Sequence, residues 1–306
     1  MNAQHLQPYR RTTARAHAAL LLMVLIWGIN FPIAKSALTQ LDPLAFNALR
    51  FPLAALVVFI AISRRGHFVW PAPGERLRIL ALGILGNIAY QQFFIFGLAL
   101  TRAGTAAVLL AGTPIVTALL SAALGHERVG PRVWAGLSAT VAGIVMVVTF
   151  GGHDAGESTL LGDALMIGAS CSWALYTVGS RHYIDRYGSV QFTAWTLWVG
   201  ALGLCLLGLP TVLRTDLGAV TASAWIGVVY AGALSIGLAY LIWYYGVRQI
   251  GNTRTAAYSN LTPVVALAAS WVALGEVPRW GQVLGAAVII GGVTLAQARR
   301  VRPVLT

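Results

Sequence analysis

The stretch Asn260-Leu261-Thr262-Pro263, running on to Leu274-Gly275-Glu276, repeats an earlier one, Thr113-Pro114 running on to Leu124-Gly125-His126-Glu127. The match extends in both directions. Gly97, Thr113, Pro114, Glu127, Gly136 and Gly143 recur 149 positions later as Gly246, Thr262, Pro263, Glu276, Gly285 and Gly292. Nearer the start of each copy the spacing is 146: Trp27, Lys35 and Phe46 recur as Trp173, Arg181 and Phe192. The chain is one unit written twice, and each copy carries five apolar runs. An odd number of membrane crossings forces the second copy to enter from the opposite side. The expected architecture is therefore a pair of inverted repeats around a midplane site.

The apolar runs define the class. Hydrophobic residues make up 58% of the 306 residues and charged residues 10%, against about 25% charged in a soluble domain. Mean hydropathy is +0.73. Runs of about 20 apolar residues suffice for a helical span. Ten are read here, at 18–34, 44–63, 79–101, 103–126, 133–153, 160–180, 188–213, 217–247, 255–275 and 280–298. Strands of a barrel would be half as long and would alternate. The fold expectation is an all-α integral membrane protein. It has a tail at 1–16, a first five-helix unit at 17–153, a second, inverted one at 154–298 and a tail at 299–306. The connections carry turn residues: Asp42-Pro43, Gly66, Gly130-Pro131, Gly151-Gly152, Gly188, Gly251-Asn252 and Pro278. The ends are expected to be exposed and mobile. The first apolar run opens a regular series and is not read as a cleavable leader.

The net charge of +12 is a topology signal. When the connections are assigned alternately to the two sides, sixteen of the 21 Lys and Arg fall with the termini. Lys35, Arg102, Arg214 and Arg279 fall opposite, and Arg50 lies inside the second run. The positive-inside rule then places both termini in the cytoplasm, in a bacterial inner membrane, and nucleic acid needs no role.

The paired motifs Pro114…Leu124-Gly125-His126-Glu127…Gly136…Gly143 and Asn260-Leu261-Thr262-Pro263…Leu274-Gly275-Glu276…Gly285…Gly292 resemble the repeated signature of the EamA-like drug/metabolite transporters, as does the opening Trp27-Gly28-Ile29-Asn30-Phe31. The likeness covers about residues 18–298; the first copy departs from it by inserting His126. The resemblance implies ten helices, a central cavity lined by spans one, three, four, six, eight and nine, and spans five and ten at the periphery. Within the family the chain looks most like bacterial amino-acid exporters, including the aromatic branch.

Polar and aromatic residues at membrane depth face protein or water. The substrate-binding candidates are Trp27, Asn30, Asn87, Tyr90, Gln91, Trp173, Tyr176, Tyr240, Tyr244, Tyr258 and Asn260. Trp27 and Trp173 are repeat equivalents and are expected to face each other. Asn87 with Gln91, and Tyr240 with Tyr244, are i,i+4 pairs that a regular helix puts on one face. The alternatives are interfacial belting for the aromatics and interhelical hydrogen bonding for the amides. Pro32, Pro114 and Pro263 are read as kinks or gating hinges, and Glu127 and Glu276 as local caps or pairs. No Asp or Glu lies mid-span, and Asp163 sits near a span end, which disfavours cationic drugs. Arg50 and Lys35 are read as lying toward the outer side. What remains is a neutral or zwitterionic solute with an apolar side chain.

The six histidines, at 5, 17, 67, 126, 153 and 182, show no metal-ligand spacing, and Cys171 and Cys205 read as small core residues. No metal, cofactor or catalytic constellation is expected. The function expected is export of neutral, aromatic or large apolar amino acids by alternating access, possible as facilitated diffusion, by a monomer or homodimer. The alternatives are an exporter of other small metabolites or drugs and, from another class, a membrane-embedded enzyme.

Overall fold

The computed structural model describes residues 6–64, 68–123, 130–150, 159–250, 255 and 258–297. Gly66, Gly125, His126, Glu127, Gly151, Gly152, Gly251, Asn252 and the tail from 299 lie outside them. The described residues are helical, without strands. In chain order the helices are α1 (Leu6–Ala37), α2 (Pro43–Ser63), α3 (Arg76–Gly83), a π-helical segment π1 (Ile84–Ala89), α4 (Tyr90–Leu100), α5 (Ala103–Leu110), α6 (Thr113–Ala123) and α7 (Pro131–Phe150). The second copy follows as α8 (Leu160–Tyr187), α9 (Ser189–Arg214), α10 (Ala222–Val229), π2 (Tyr230–Leu238), α11 (Ala239–Ile250), α12 (Thr262–Leu274) and α13 (Trp280–Gln297).

Seven helical stretches are long and apolar enough to cross a membrane, and Thr262–Leu274 and Trp280–Leu295 are shorter apolar helices. The 28-residue α8 is not among the seven. Its last turns carry Arg181, Asp185 and Arg186 and project it beyond its apolar part. The protein is a multi-pass membrane protein. At its N-terminal end α1 reaches back to Leu6, so helix replaces part of the expected mobile tail.

Three departures from the expected helices matter for the site. First, the third run of each copy is not a regular α-helix. π1 has six residues and π2 has nine. Their first residues, Ile84 and Tyr230, are 146 apart, and the residues that follow them, Tyr90 and Ala239, are 149 apart. The three-residue step in the repeat spacing is thus housed in the wider turns of π2. In a straight α-helix three extra residues would have turned every later side chain to a new face.

Second, the fourth run is broken at Ala111-Gly112, and a turn at the equivalent Asn260-Leu261 precedes α12. Pro114 and Pro263 therefore stand in the first turn of a new helix, where a missing N–H costs nothing. They begin half-helices and do not kink continuous ones. Pro32 does lie inside its helix, as does Pro52. The carbonyl that Pro52 leaves without its helical donor, Ala48 O, accepts from Cys205 Sγ at 3.5 Å.

Third, the two copies interleave. α2 packs on α9, α7 on α13, π1 on α9 and π2 on α2. In lipid such pairs rest on close backbone approach and not on apolar burial. The repeated glycines supply it. A Cβ on Gly143 would lie 2.8 Å from Gly285 O, one on Gly285 2.8 Å from Gly143 O, and one on Gly292 2.6 Å from Gly136 O. The paired α7 and α13 leave the other helices to surround the centre.

Candidate functional site

An aromatic ladder crosses the middle of the molecule. The ring of Tyr240 from α11 stands between the two repeat-equivalent indoles. It meets Trp27 edge-on at 6.4 Å between centroids and Trp173 at 6.2 Å. Trp27 also packs on Trp243 at 5.8 Å. Trp173 packs on Tyr90 at 4.9 Å and on Tyr176 at 5.3 Å. Tyr90 stacks on Phe94, which in turn meets Phe31. The two tryptophans are bridged by a tyrosine and do not face each other directly. Trp27 is fixed by a bond from its Nε1 to the Ser235 carbonyl at 2.9 Å. That carbonyl lies in π2.

Two polar clusters flank the ladder at equivalent positions of the copies. In the first, Arg50 of α2 is 1% exposed. Its Nε and Nη2 donate to Asn47 Oδ1 at 3.0 and 2.8 Å, and Nη2 also donates to Gln91 Oε1 at 2.7 Å. Asn47 Nδ2 reaches the Gln91 carbonyl at 3.4 Å and Gln92 Oε1 at 3.5 Å. The guanidinium lies 4.9 Å from the Phe46 ring centroid and 5.7 Å from those of Phe51 and Phe94. In the second copy the positions of Asn47 and Arg50 are held by Thr193 and Thr196. Thr196 Oγ1 bonds the Tyr176 hydroxyl at 3.0 Å, and Thr193 Oγ1 bonds that of Tyr244.

The remaining candidates divide. Asn30 is buried on α1, and its Oδ1 finds no donor among the described residues. Asn260 is buried in the turn that precedes α12. Asn87 and Gln91 meet different helices. The Asn87 Cβ lies 2.4 Å from where a Cβ on Gly200 of α9 would fall, whereas Gln91 turns to Arg50. Tyr258 is apart from the ladder. It bonds His17, ten residues and so roughly 15 Å along α1 from Trp27.

Arg50 and Asn47 were not among the expected site residues. The signal was an Asn three residues before the one charge in an apolar run, facing Thr-x-x-Thr in the other copy. Arg50 lies seven residues into α2, about 10 Å from its end. It is a core residue and not one that snorkels outward.

The ends of the bundle are latched unequally. Lys35 Nζ donates to the carbonyls of Leu98, Ala99 and Thr101 at 2.9, 2.9 and 2.8 Å, closing the C-terminus of α4 with a cation. Beside it Glu276 accepts from the N–H groups of Ala103 and Gly104 at 3.0 and 3.2 Å and caps α5. Its equivalent, Glu127, lies outside the described residues. At the opposite end Arg181, the counterpart of Lys35, is exposed and donates to no carbonyl among the described residues. A smaller pair of contacts is shared by both ends. Glu75 Oε1 accepts from Arg186 Nη1 at 2.8 Å. The residues 146 positions away from each of them, Thr221 and Gln40, bond each other at 3.0 Å.

The duplicated helices, the broken fourth run and the central ladder describe a carrier of small molecules. The sequence pattern of the EamA-like transporter family matches residues 14–149 and again 160–297; the chain belongs to that family. It is 27% identical to "Uncharacterized transporter YyaM" of Bacillus subtilis, over 88% of this chain and 89% of that one. It is 28% identical to the "Probable terminal-alkyne amino-acid exporter" of Streptantibioticus cattleyicolor, over 94% of each. A solved crystal structure of a protein 23% identical in sequence covers 94% of this chain and 98% of its own, with a TM-score of 0.67, and shares the fold.

Proposed function

We propose that the protein exports neutral amino acids with aromatic or large apolar side chains across the bacterial inner membrane. Ten spans, in two inverted five-helix repeats with both termini cytoplasmic, carry out alternating access. The observation that carries this reading is the ladder Trp27–Tyr240–Trp173–Tyr90, flanked by Asn30 and Gln91. It offers ring faces to an apolar side chain and amides to a polar head. The relative named as a probable amino-acid exporter supports the substrate class. The contrast between Lys35, locked onto α4, and Arg181, exposed, supports a state closed at the Lys35 end; exchange of the two arrangements would open it. Among the described residues no carboxylate lies mid-span, so facilitated diffusion accounts for transport without a proton relay. The reading is of a transporter and not an enzyme, and it calls for no cofactor.

The test is counterflow of labelled neutral amino acids in proteoliposomes, with and without a pH gradient. Saturable exchange of phenylalanine or leucine, insensitive to the gradient, supports a facilitator. Exchange confined to solutes without an amino-acid head group would move the assignment to other metabolites.

A further inference from the structure

Arg50 is a buried charge without a counter-ion. Among the described residues no Asp or Glu forms an ion pair with it; its acceptors are two neutral amide oxygens. Burying an unpaired charge is costly, and packing does not demand it here. The other copy fills the same positions with Thr193 and Thr196 and packs α9 on π1 much as α2 packs on π2. Nor are its donors used up. A guanidinium has five N–H groups. Nε and Nη2 are engaged, and Nη1 donates to no described residue. Asn47 and Gln91 hold the fork in place without neutralising it.

We infer that this guanidinium, oriented by Asn47 and Gln91, is the carboxylate anchor of the solute-binding site, so that the transported molecules carry a carboxylate. The inference rests on the transport reading above and names the group that the site recognises. The placement fits. Phe94, whose ring adjoins Arg50, stacks on Tyr90, and Tyr90 packs on Trp173. A carboxylate on Arg50 therefore leaves the rest of the solute within reach of the ladder. Arg is suited to this role because its planar fork matches both oxygens of a carboxylate. A second orphan lies on α1. Asn30 Oδ1 is a buried acceptor with no donor. It sits on α1 between Trp27 and Phe31, whose rings meet Tyr240 and Phe94. An ammonium would supply the missing donor. A guanidinium with donors to spare and an unpartnered amide oxygen, both near the Phe31–Phe94 pair, together match a zwitterion.

The experiment is thermal stabilisation of the purified protein, backed by counterflow inhibition, with three probes: L-phenylalanine, L-phenylalaninamide and 3-phenylpropanoate. The expected order is that both carboxylates bind and the amide binds about 10- to 100-fold more weakly, as loss of a hydrogen bond to a charged group implies. Arg50→Gln abolishes the preference and Arg50→Lys weakens it. Asn30→Leu weakens phenylalanine but not 3-phenylpropanoate. Equal binding of phenylalanine and its amide to the wild type overturns the anchor while leaving amino-acid transport standing, and needs no variant to fold. Binding of 3-phenylpropanoate but not phenylalanine overturns amino-acid transport while leaving the anchor standing. If neither carboxylate binds, the anchor is overturned.

Discussion

Two equivalent helix positions carry Asn47 and Arg50 in the first copy and Thr193 and Thr196 in the second, and each pair gathers different polar partners. Asn47, Arg50 and Gln91 form one cluster; Thr193, Thr196, Tyr176 and Tyr244 form the other. The backbones of the copies correspond closely, down to a π segment in each third run. The difference is therefore chemical. Duplication supplied a symmetric frame, and side chains made its centre polar at one end, with a cation on one side of the ladder and neutral donors on the other. A symmetric centre would hold a solute in two opposite orientations equally well. On the proposed reading, this one distinguishes head from tail.

Breaking the frame should have the largest effect. A Cβ on Gly232 would fall 2.3 Å from the Arg50 carbonyl oxygen, a backbone atom. Gly232→Ala must push α2 from π2 and is expected to lower stability by about 1–3 kcal/mol or more. The equivalent Gly86→Ala meets the Tyr176 ring at 2.3 Å. There the obstacle is a side-chain ring and not a backbone atom, so the effect should be smaller. Thermal unfolding of the two variants in one detergent ranks them. If Gly86→Ala is the worse of the pair, the packing comparison fails.

Breaking the ladder comes next. Tyr240→Ala removes the ring that joins the two indoles and is expected to slow counterflow about tenfold, the effect of losing two aromatic contacts of about 0.5–1.5 kcal/mol each. Tyr240→Phe keeps the ring and should exchange near the wild-type rate. A smaller effect is expected at the ends. Lys35→Met frees three carbonyls at the C-terminus of α4 and should cost about 1–2 kcal/mol. Arg181→Met, at the exposed equivalent, should stay within about 0.5 kcal/mol. Equal destabilisation by the two would mean that the ends are latched alike. Cys205→Ala, which removes only a weak donor to the Ala48 carbonyl, sharpens the frame's lower bound at about 0.5 kcal/mol.

Much of this was legible in the sequence. The pairs 149 positions apart, from Gly97/Gly246 to Gly143/Gly292, disclosed the duplication, and the glycines of the last two pairs, Gly136/Gly285 and Gly143/Gly292, form the seam between α7 and α13. The change in spacing from 149 to 146 was equally visible, but its cause was not. A three-residue difference can be a loop or a helix distortion, and periodicity alone does not separate them. Pro114 and Pro263 were read as mid-span because the apolar runs pass through the breaks without interruption. Arg50 was underrated because linear distance from a span end says nothing about what packs over it. α9, π2 and α4 close over α2 from far away in the chain, and burial of this kind is a tertiary fact. The family pattern at 14–149 and 160–297 agrees with the duplication and is silent on these details.

The most direct test makes the two centres alike. The double variant Asn47→Thr/Arg50→Thr gives the first copy the residues that already pack in the second. Its exchange of labelled L-phenylalanine in proteoliposomes would be measured against the wild type, on protein shown to be monodisperse and helical. Loss of exchange in a folded double variant is the predicted result. Exchange at the wild-type rate would contradict the claim that the unlike halves of the centre recognise the solute.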